Sequence, residues 1–178
     1  MLPPGHIAAG FIAAKVLLHF SHQGLSQVQQ TQLVWLGMVF AFIPDLDSFV
    51  AFSKEKAWFV KNQKNHHRKL ISHAPLLWFL AGMAIYFFSS TIYYKDIGLL
   101  LWLSSWSHFV LDSIEYGIMW LWPFSHKVYA LRNRETDFKN PYSSFFKYWV
   151  YFVKSYSKTI TFYCEILIII SALIYYIR

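Results

Sequence analysis

Long apolar runs separated by short polar clusters organise this chain. Five runs stand out, at about 6–22, 32–52, 72–94, 96–121 and 159–177. Each is close to the ~20 residues a helix needs to cross a hydrocarbon core about 30 Å thick. The cleanest stretch, Leu70 to Tyr94, holds no Lys, Arg, Asp or Glu. Lys15 interrupts the first run and "PDLD" at 44–47 the second. The pattern predicts an all-α fold, a polytopic membrane helix bundle of about five spans. A further helix is expected before the last span. In "NPYSSFFKYWVYFVKSYSKT" (140–159), Asn140-Pro141 reads as a helix start. Phe145, Trp149 and Phe152 recur at helical spacing, with Lys147, Lys154 and Lys158 off that stripe. Two descriptions suit it equally: an interfacial helix among lipid headgroups, or an extension of the last span packed on the bundle.

Composition agrees with the pattern. Of 178 residues, 56% are hydrophobic, 21% aromatic and only 14% charged, too apolar for an ordinary soluble domain. We read residues 1–178 as a single integral membrane domain, its motifs within about 5–126 and its C-terminal segment at about 140–178. The start "MLPPGHIAAG" lacks a basic n-region, so the first run is expected to be a retained helix. Cys164 is the sole cysteine, which excludes an intrachain disulfide and any cysteine-rich metal site. A net charge of +7 would suit nucleic acid, but these bases collect beside the apolar runs. There they answer to anionic membrane lipid and to the positive-inside rule, so no nucleic-acid partner is expected.

The bases also set orientation. Lys54, Lys56, Lys61, Lys64, Arg68 and Lys69 follow the second run, and Lys127, Arg132, Arg134, Lys139, Lys147, Lys154 and Lys158 follow the fourth. The stretch 21–32 has no Lys or Arg, and the turn around Lys95 has one. This places the N-terminus on the cytoplasmic side of the membrane. His6, Asp45, Asp47, His66, His67, His73, His108 and Asp112 all then fall on the cytoplasmic half. Scattered structural histidines have no cause to share one side, so the coincidence favours one site between helix ends.

His108 and Asp112 lie one helical turn apart and share a face. Such groups inside lipid are usually paired, hydrated or metal-bound; a hydrogen-bonded pair joining two helices is the plainer reading. In "FIPDLD" (42–47), Pro44 removes a backbone donor, so the helix can unwind and let Asp45 and Asp47 converge. In "NHHRKLISHAP" (65–75), Ser72 is expected to cap a helix whose first turn holds His73 and Pro75, with His67 in the preceding loop. Arg68 suits a phosphate or a lipid headgroup. His and Asp donors without Cys fit zinc, with manganese or iron as alternatives, as one ion or two. Such an ion acidifies water and polarises a phosphoryl or carbonyl group, which makes hydrolysis the natural chemistry.

"GHIAAG", "FIPDLD", "HHRKLISHAP" and "SHFVLDSIEYGIMWLWPFS", in that order, resemble the signatures of the YdjM-like family of inner-membrane-associated, metal-dependent hydrolases. The resemblance spans roughly residues 5–126. It implies His6, Asp45, Asp47, His67, His73, His108 and Asp112 as metal ligands, with Asp47 as ligand or general base and Arg68 on the substrate. A looser similarity to zinc-dependent phospholipase C implies a phosphoester or lipid-like substrate. The chain departs from the family in the Lys69-Leu70-Ile71-Ser72 insertion before His73, which leaves the choice between His66 and His67 open. Two other classes fit the same residues: a metal-ion or proton transporter, and a structural membrane protein. Transport would spread polar groups through the bilayer depth. Here only Lys15 and Glu165 lie off the cluster, where snorkelling or helix pairing accounts for them. Oligomeric state has no signature in the sequence.

Overall fold

A computed structural model describes residues 1–21, 24–49, 53, 70–132 and 144–177. Six α-helices carry them: α1 Pro3–Ser21, α2 Gln27–Phe42, α3 Pro75–Phe88, α4 Ile92–Asp112, α5 Phe145–Tyr156 and α6 Ile160–Ile177. Among the described residues there is no strand beyond a single bridge pairing Ile118 with Tyr129. Local chemistry sets the helix starts. α1 opens on two prolines, tolerated where backbone N–H groups would lack an intrahelical partner. α2 opens on a reciprocal capping box between Ser26 and Gln29. The Thr91 hydroxyl accepts the Tyr94 N–H at 3.5 Å to start α4.

The helices depart from the expected runs in several places: α2 begins at Gln27 and gives way to a 3-10 turn at Ile43–Asp47, where a run over 32–52 was expected. α3 stops at Phe88 and the chain turns at Ser89–Thr91, so Lys95 lies inside α4 rather than in the turn. α4 stops at Asp112 rather than near 121. Beyond it Gly117 takes φ 86°, a conformation side-chain-bearing residues resist, and the chain folds back on itself. Ile118 and Tyr129 then exchange backbone hydrogen bonds at 3.0 and 2.9 Å. α5 is a separate helix, parted from α6 by the turn at 157–159.

Glycines let the helices approach closely. A Cβ on Gly10 would sit 2.2 Å from the Gly37 carbonyl oxygen, and one on Gly82 would sit 2.5 Å from that of Gly98. Small residues at such crossings bring α1 against α2 and α3 against α4. α4 also packs on α1 and α2, and α6 lies along α1. The chain runs up and down through α1 to α4. The starts of α1 and α3 therefore share one end of the bundle with the ends of α2 and α4. At the opposite end Ala14, Leu17, Leu18, Leu25, Leu33 and Leu100 form an apolar core. α6 runs parallel to α1: Glu165 meets the Gly5 N–H, and Lys15 lies 5.8 Å from the Tyr175 ring centre. Glu115, fully buried just after α4, accepts the Thr161 N–H at 3.3 Å and its hydroxyl at 2.5 Å, capping the start of α6.

Among the described residues, α6 alone is long and apolar enough to cross a membrane by length and composition. α4 has 21 residues and so about 31 Å of length, but it carries Lys95, Asp96, Ser104, Ser105, Ser107, His108 and Asp112. Asp96, Ser104, Ser105, His108 and Asp112 are all buried. Their polarity is thus turned into the protein, while Trp35, Leu80, Phe87, Phe88 and Leu167 project outward.

Gly98→Ala is expected to separate α3 from α4, because its methyl would stand 2.5 Å from the Gly82 carbonyl oxygen. The overpacking penalty is about 1–3 kcal/mol, read as a lowered unfolding temperature in detergent.

Candidate metal centre

Five side chains from four parts of the chain meet at the shared helix end. His6 comes from the first turns of α1, Asp45 from the 3-10 turn Ile43–Asp47 that continues α2, and His73 from the 3-10 turn Ile71–His73 ahead of α3. His108 and Asp112 come from the last turns of α4. All three histidines and Asp112 are wholly buried. Pro44 explains part of the arrangement. It offers no N–H to its turn, and the Ala41 carbonyl three residues before it accepts from His108 Nδ1 at 2.8 Å.

That bond decides what His108 presents to the centre. With the Nδ1 proton directed at a carbonyl, neutral His108 aims the lone pair of Nε2 inward. His73 is held likewise: Asp47 Oδ2 accepts from Nδ1 at 2.8 Å, leaving Nε2 directed at Asp45. This backing of one ring nitrogen by a carbonyl or carboxylate is the usual support of metal-binding imidazoles. His6 stacks on His108 with ring centres 3.7 Å apart. Neither nitrogen of His6, nor His108 Nε2, has a hydrogen-bond partner among the described residues.

The spacing of the donors points to what belongs between them. Nε2 of His73 and of His108 each lie 3.7 Å from Asp45 Oδ1, and His108 Nε2 lies 3.8 Å from Asp112 Oδ2. His6 Nε2 lies 3.4 Å from Asp112 Oδ1 and 3.8 Å from Asp45 Oδ2. Most of these separations exceed a direct hydrogen bond. They approach the ~3.4 Å edge of a tetrahedron of ligands about 2.1 Å from a common ion. One ligand atom each from Asp45, His73, His108 and Asp112 falls within 4.8 Å of all the others, a group that could hold a metal ion. Two imidazoles and two carboxylates without sulfur make a donor set suited to a divalent ion, with His6 beside them. Asp112 Oδ1 also accepts from the buried Met1 nitrogen at 2.5 Å.

The candidates named from the sequence therefore separate. His6, Asp45, His73, His108 and Asp112 face one another, whereas Asp47 stands behind His73. Asp47 also accepts from the Ser72 hydroxyl, so Ser72 does not cap α3: the N-cap position falls to Ala74, which makes no side-chain cap. His66, His67 and Arg68 lie outside the described residues. Glu165, read from sequence as a snorkelling or pairing residue, is 4% exposed and bound to the start of α1. Glu115 was not singled out, although it follows Asp112 by three positions and is fully buried. Its one visible signal is an acid close behind the His-x-x-x-Asp motif.

A family model described as "YdjM inner membrane protein" matches residues 1–178, the whole chain, and the chain belongs to that family. The match extends past the 5–126 stretch that carries the motifs. No curated protein and no solved structure matches the chain. Family and the apolar α6 together point to the membrane.

Asp47→Ala should leave His73 free to rotate and weaken binding of a divalent ion about 10–100-fold. Competition with a chromogenic chelator measures this, and an unchanged affinity would remove Asp47 from the support of the centre.

Proposed function

We propose that this member of the YdjM inner membrane protein family is a multi-pass, metal-dependent hydrolase with its site at the cytoplasmic face. One observation carries the reading: His73 and His108 are pinned through Nδ1 and direct Nε2, together with the Asp45 and Asp112 carboxylates, at one point. Asp45, His73, His108 and Asp112 would hold a single divalent ion, zinc first and manganese or iron next, with His6 as a further ligand. When bound, the ion would supply Lewis acidity to a scissile phosphoryl or carbonyl group and lower the pKa of water.

The chain's own residues supply the rest. Asp47 keeps His73 in register through Oδ2, while its Oδ1 has no hydrogen-bond partner among the described residues. That oxygen is the free acceptor for a proton drawn from an entering water, the work of a general base. The Asp45 and Asp47 side chains are 12% and 9% exposed, so substrate would enter past them. On the sequence alone, Arg68 would meet a phosphate. His67 would be a further ligand.

Three features support a membrane setting beyond α6. Outward-facing Phe87 and Phe88 are 75% and 91% exposed, which suits lipid rather than water. Lys127 and Arg132 follow α4 and Lys147, Lys154 and Lys158 precede α6, all toward the helix end that holds the site. The described turn at Ser89–Thr91 toward the other end has no base. The positive-inside rule then assigns the site to the cytoplasm. α5 would lie on the lipid surface as a partner-facing helix, its exposed Phe146, Val150 and Val153 in the acyl boundary and its exposed Lys147 and Lys154 among anionic headgroups. A phosphoester or lipid-like substrate fits a site at that depth. A transport path is disfavoured, because Leu100, wholly buried, stands along α4 between buried Asp96 and the site.

Detergent-purified wild type should carry about one divalent ion per chain and hydrolyse an aryl phosphodiester or phosphatidic acid. His108→Ala and Asp112→Ala should lose both, as read by elemental analysis and phosphate release. Asp47→Ala should lower the rate by about 10²–10⁴-fold. Hydrolysis that persists in metal-free His108→Ala would overturn the assignment.

A further inference from the structure

Glu165 lies on α6, outside the ligand group, and is buried in an otherwise oily helix. Its partners follow from the opening "MLPPG". A helix leaves its first four backbone nitrogens without intrahelical acceptors. In α1 these belong to Leu2, Pro3, Pro4 and Gly5, and the two prolines have no proton to offer. Both remaining donors reach Glu165: Leu2 N–H donates to Oε2 at 3.4 Å, and Gly5 N–H is shared between Oε1 at 3.0 Å and the Leu2 carbonyl at 3.1 Å. The carboxylate thus faces the positive end of the α1 dipole. The fit leaves no room, since a Cβ on Gly5 would stand 2.7 Å from Glu165 Cγ. His6 is the next residue.

Glu165 Oε2 has a third donor, the hydroxyl of Tyr156. Tyr156 is the last residue of α5 and is 3% exposed. Burial, and then the Glu165 carboxylate, hold its phenol protonated far above the ordinary range, so it remains a donor. A continuous line of contacts therefore runs from α5 through Tyr156 and Glu165 to the backbone that places His6.

We propose that Glu165 is a positioning residue for the metal centre, setting His6 against Asp112, and that Tyr156 ties this setting to α5 on the membrane surface. The inference rests on the metal reading above and assigns a role to the C-terminal helices, which contribute no ligand. α5 is seated by an anionic lipid surface, the occupant that its exposed apolar strip, its neighbouring lysines and its continuity with α6 fit.

The test is titration with Co²⁺, whose visible spectrum reports its ligands, in nanodiscs of phosphatidylcholine alone or with a quarter phosphatidylglycerol. Wild type should bind several-fold more tightly with the anionic lipid. Glu165→Gln should weaken binding about 10-fold, in the range of other supporting residues, and shift the visible band. Tyr156→Phe should fold normally and lose the lipid dependence. The double variant His6→Ala/Glu165→Gln should bind no more weakly than His6→Ala alone, because both act through one ligand. If wild type binds no Co²⁺, the metal reading itself fails and this inference falls with it. If wild type binds but Glu165→Gln keeps its affinity and spectrum, or the double variant shows additive losses, the positioning role alone is refuted. Should Glu165→Gln fail to fold, Tyr156→Phe decides: lipid dependence that survives in it overturns the link.

Discussion

Lone pairs withdrawn from water must be met by a proton, a donor or a cation, and the inner end of this bundle is organised by that demand. Asp45, Asp112 and the Nε2 atoms of three imidazoles are brought within a few ångströms of one another among apolar helices. Left alone, that convergence would be costly. What makes it tolerable as a resting arrangement is that the outer nitrogens of His73 and His108 are engaged. Ala41 holds one histidine, Asp47 a second, and Ser72 steadies Asp47 in turn. The support lies outside while Nε2 atoms and carboxylates converge inside, so the arrangement favours a positive charge at its middle.

The rest of the fold can be understood as a means of reaching that geometry. Alternating helices put two helix starts and two helix ends at one level. Glycine crossings hold their axes close enough for short side chains to meet. Pro44 does more than end a helix, because by withholding a donor it frees the carbonyl that orients His108. The apolar layer around Ala14, Leu33 and Leu100 closes the opposite end.

Much of this was legible in the amino-acid order. An all-helical chain, and acids and histidines gathered at one set of helix ends, follow from apolar run lengths and from topology. The unwinding at "PDLD" follows from the chemistry of proline. What could not be read is pairing at a distance. Asp45 and Asp47 look alike in sequence, yet one faces the centre and the other the back of His73, because the 3-10 turn, like an α-helix, sends residues two apart to different sides. Ser72 looks like a helix cap and serves Asp47, since Pro75 already starts α3 without one. Glu165 looks like a stray acid because its partners stand 160 and 163 positions away. The turn between α3 and α4 was misplaced because no charge marks Ser89–Thr91, whereas Lys95 drew attention to itself.

The parallel run of α6 beside α1 has a consequence for biogenesis. The Gly5 N–H and the Glu165 carboxylate are 160 positions apart, so a ribosome delivers the two halves of one clasp at widely separated times. Until α6 is made, the backbone of Leu2 and Gly5 has no carboxylate to answer it. The seating of His6 thereby waits for α6, and a chain stopped before that helix would be left with His6 unsecured.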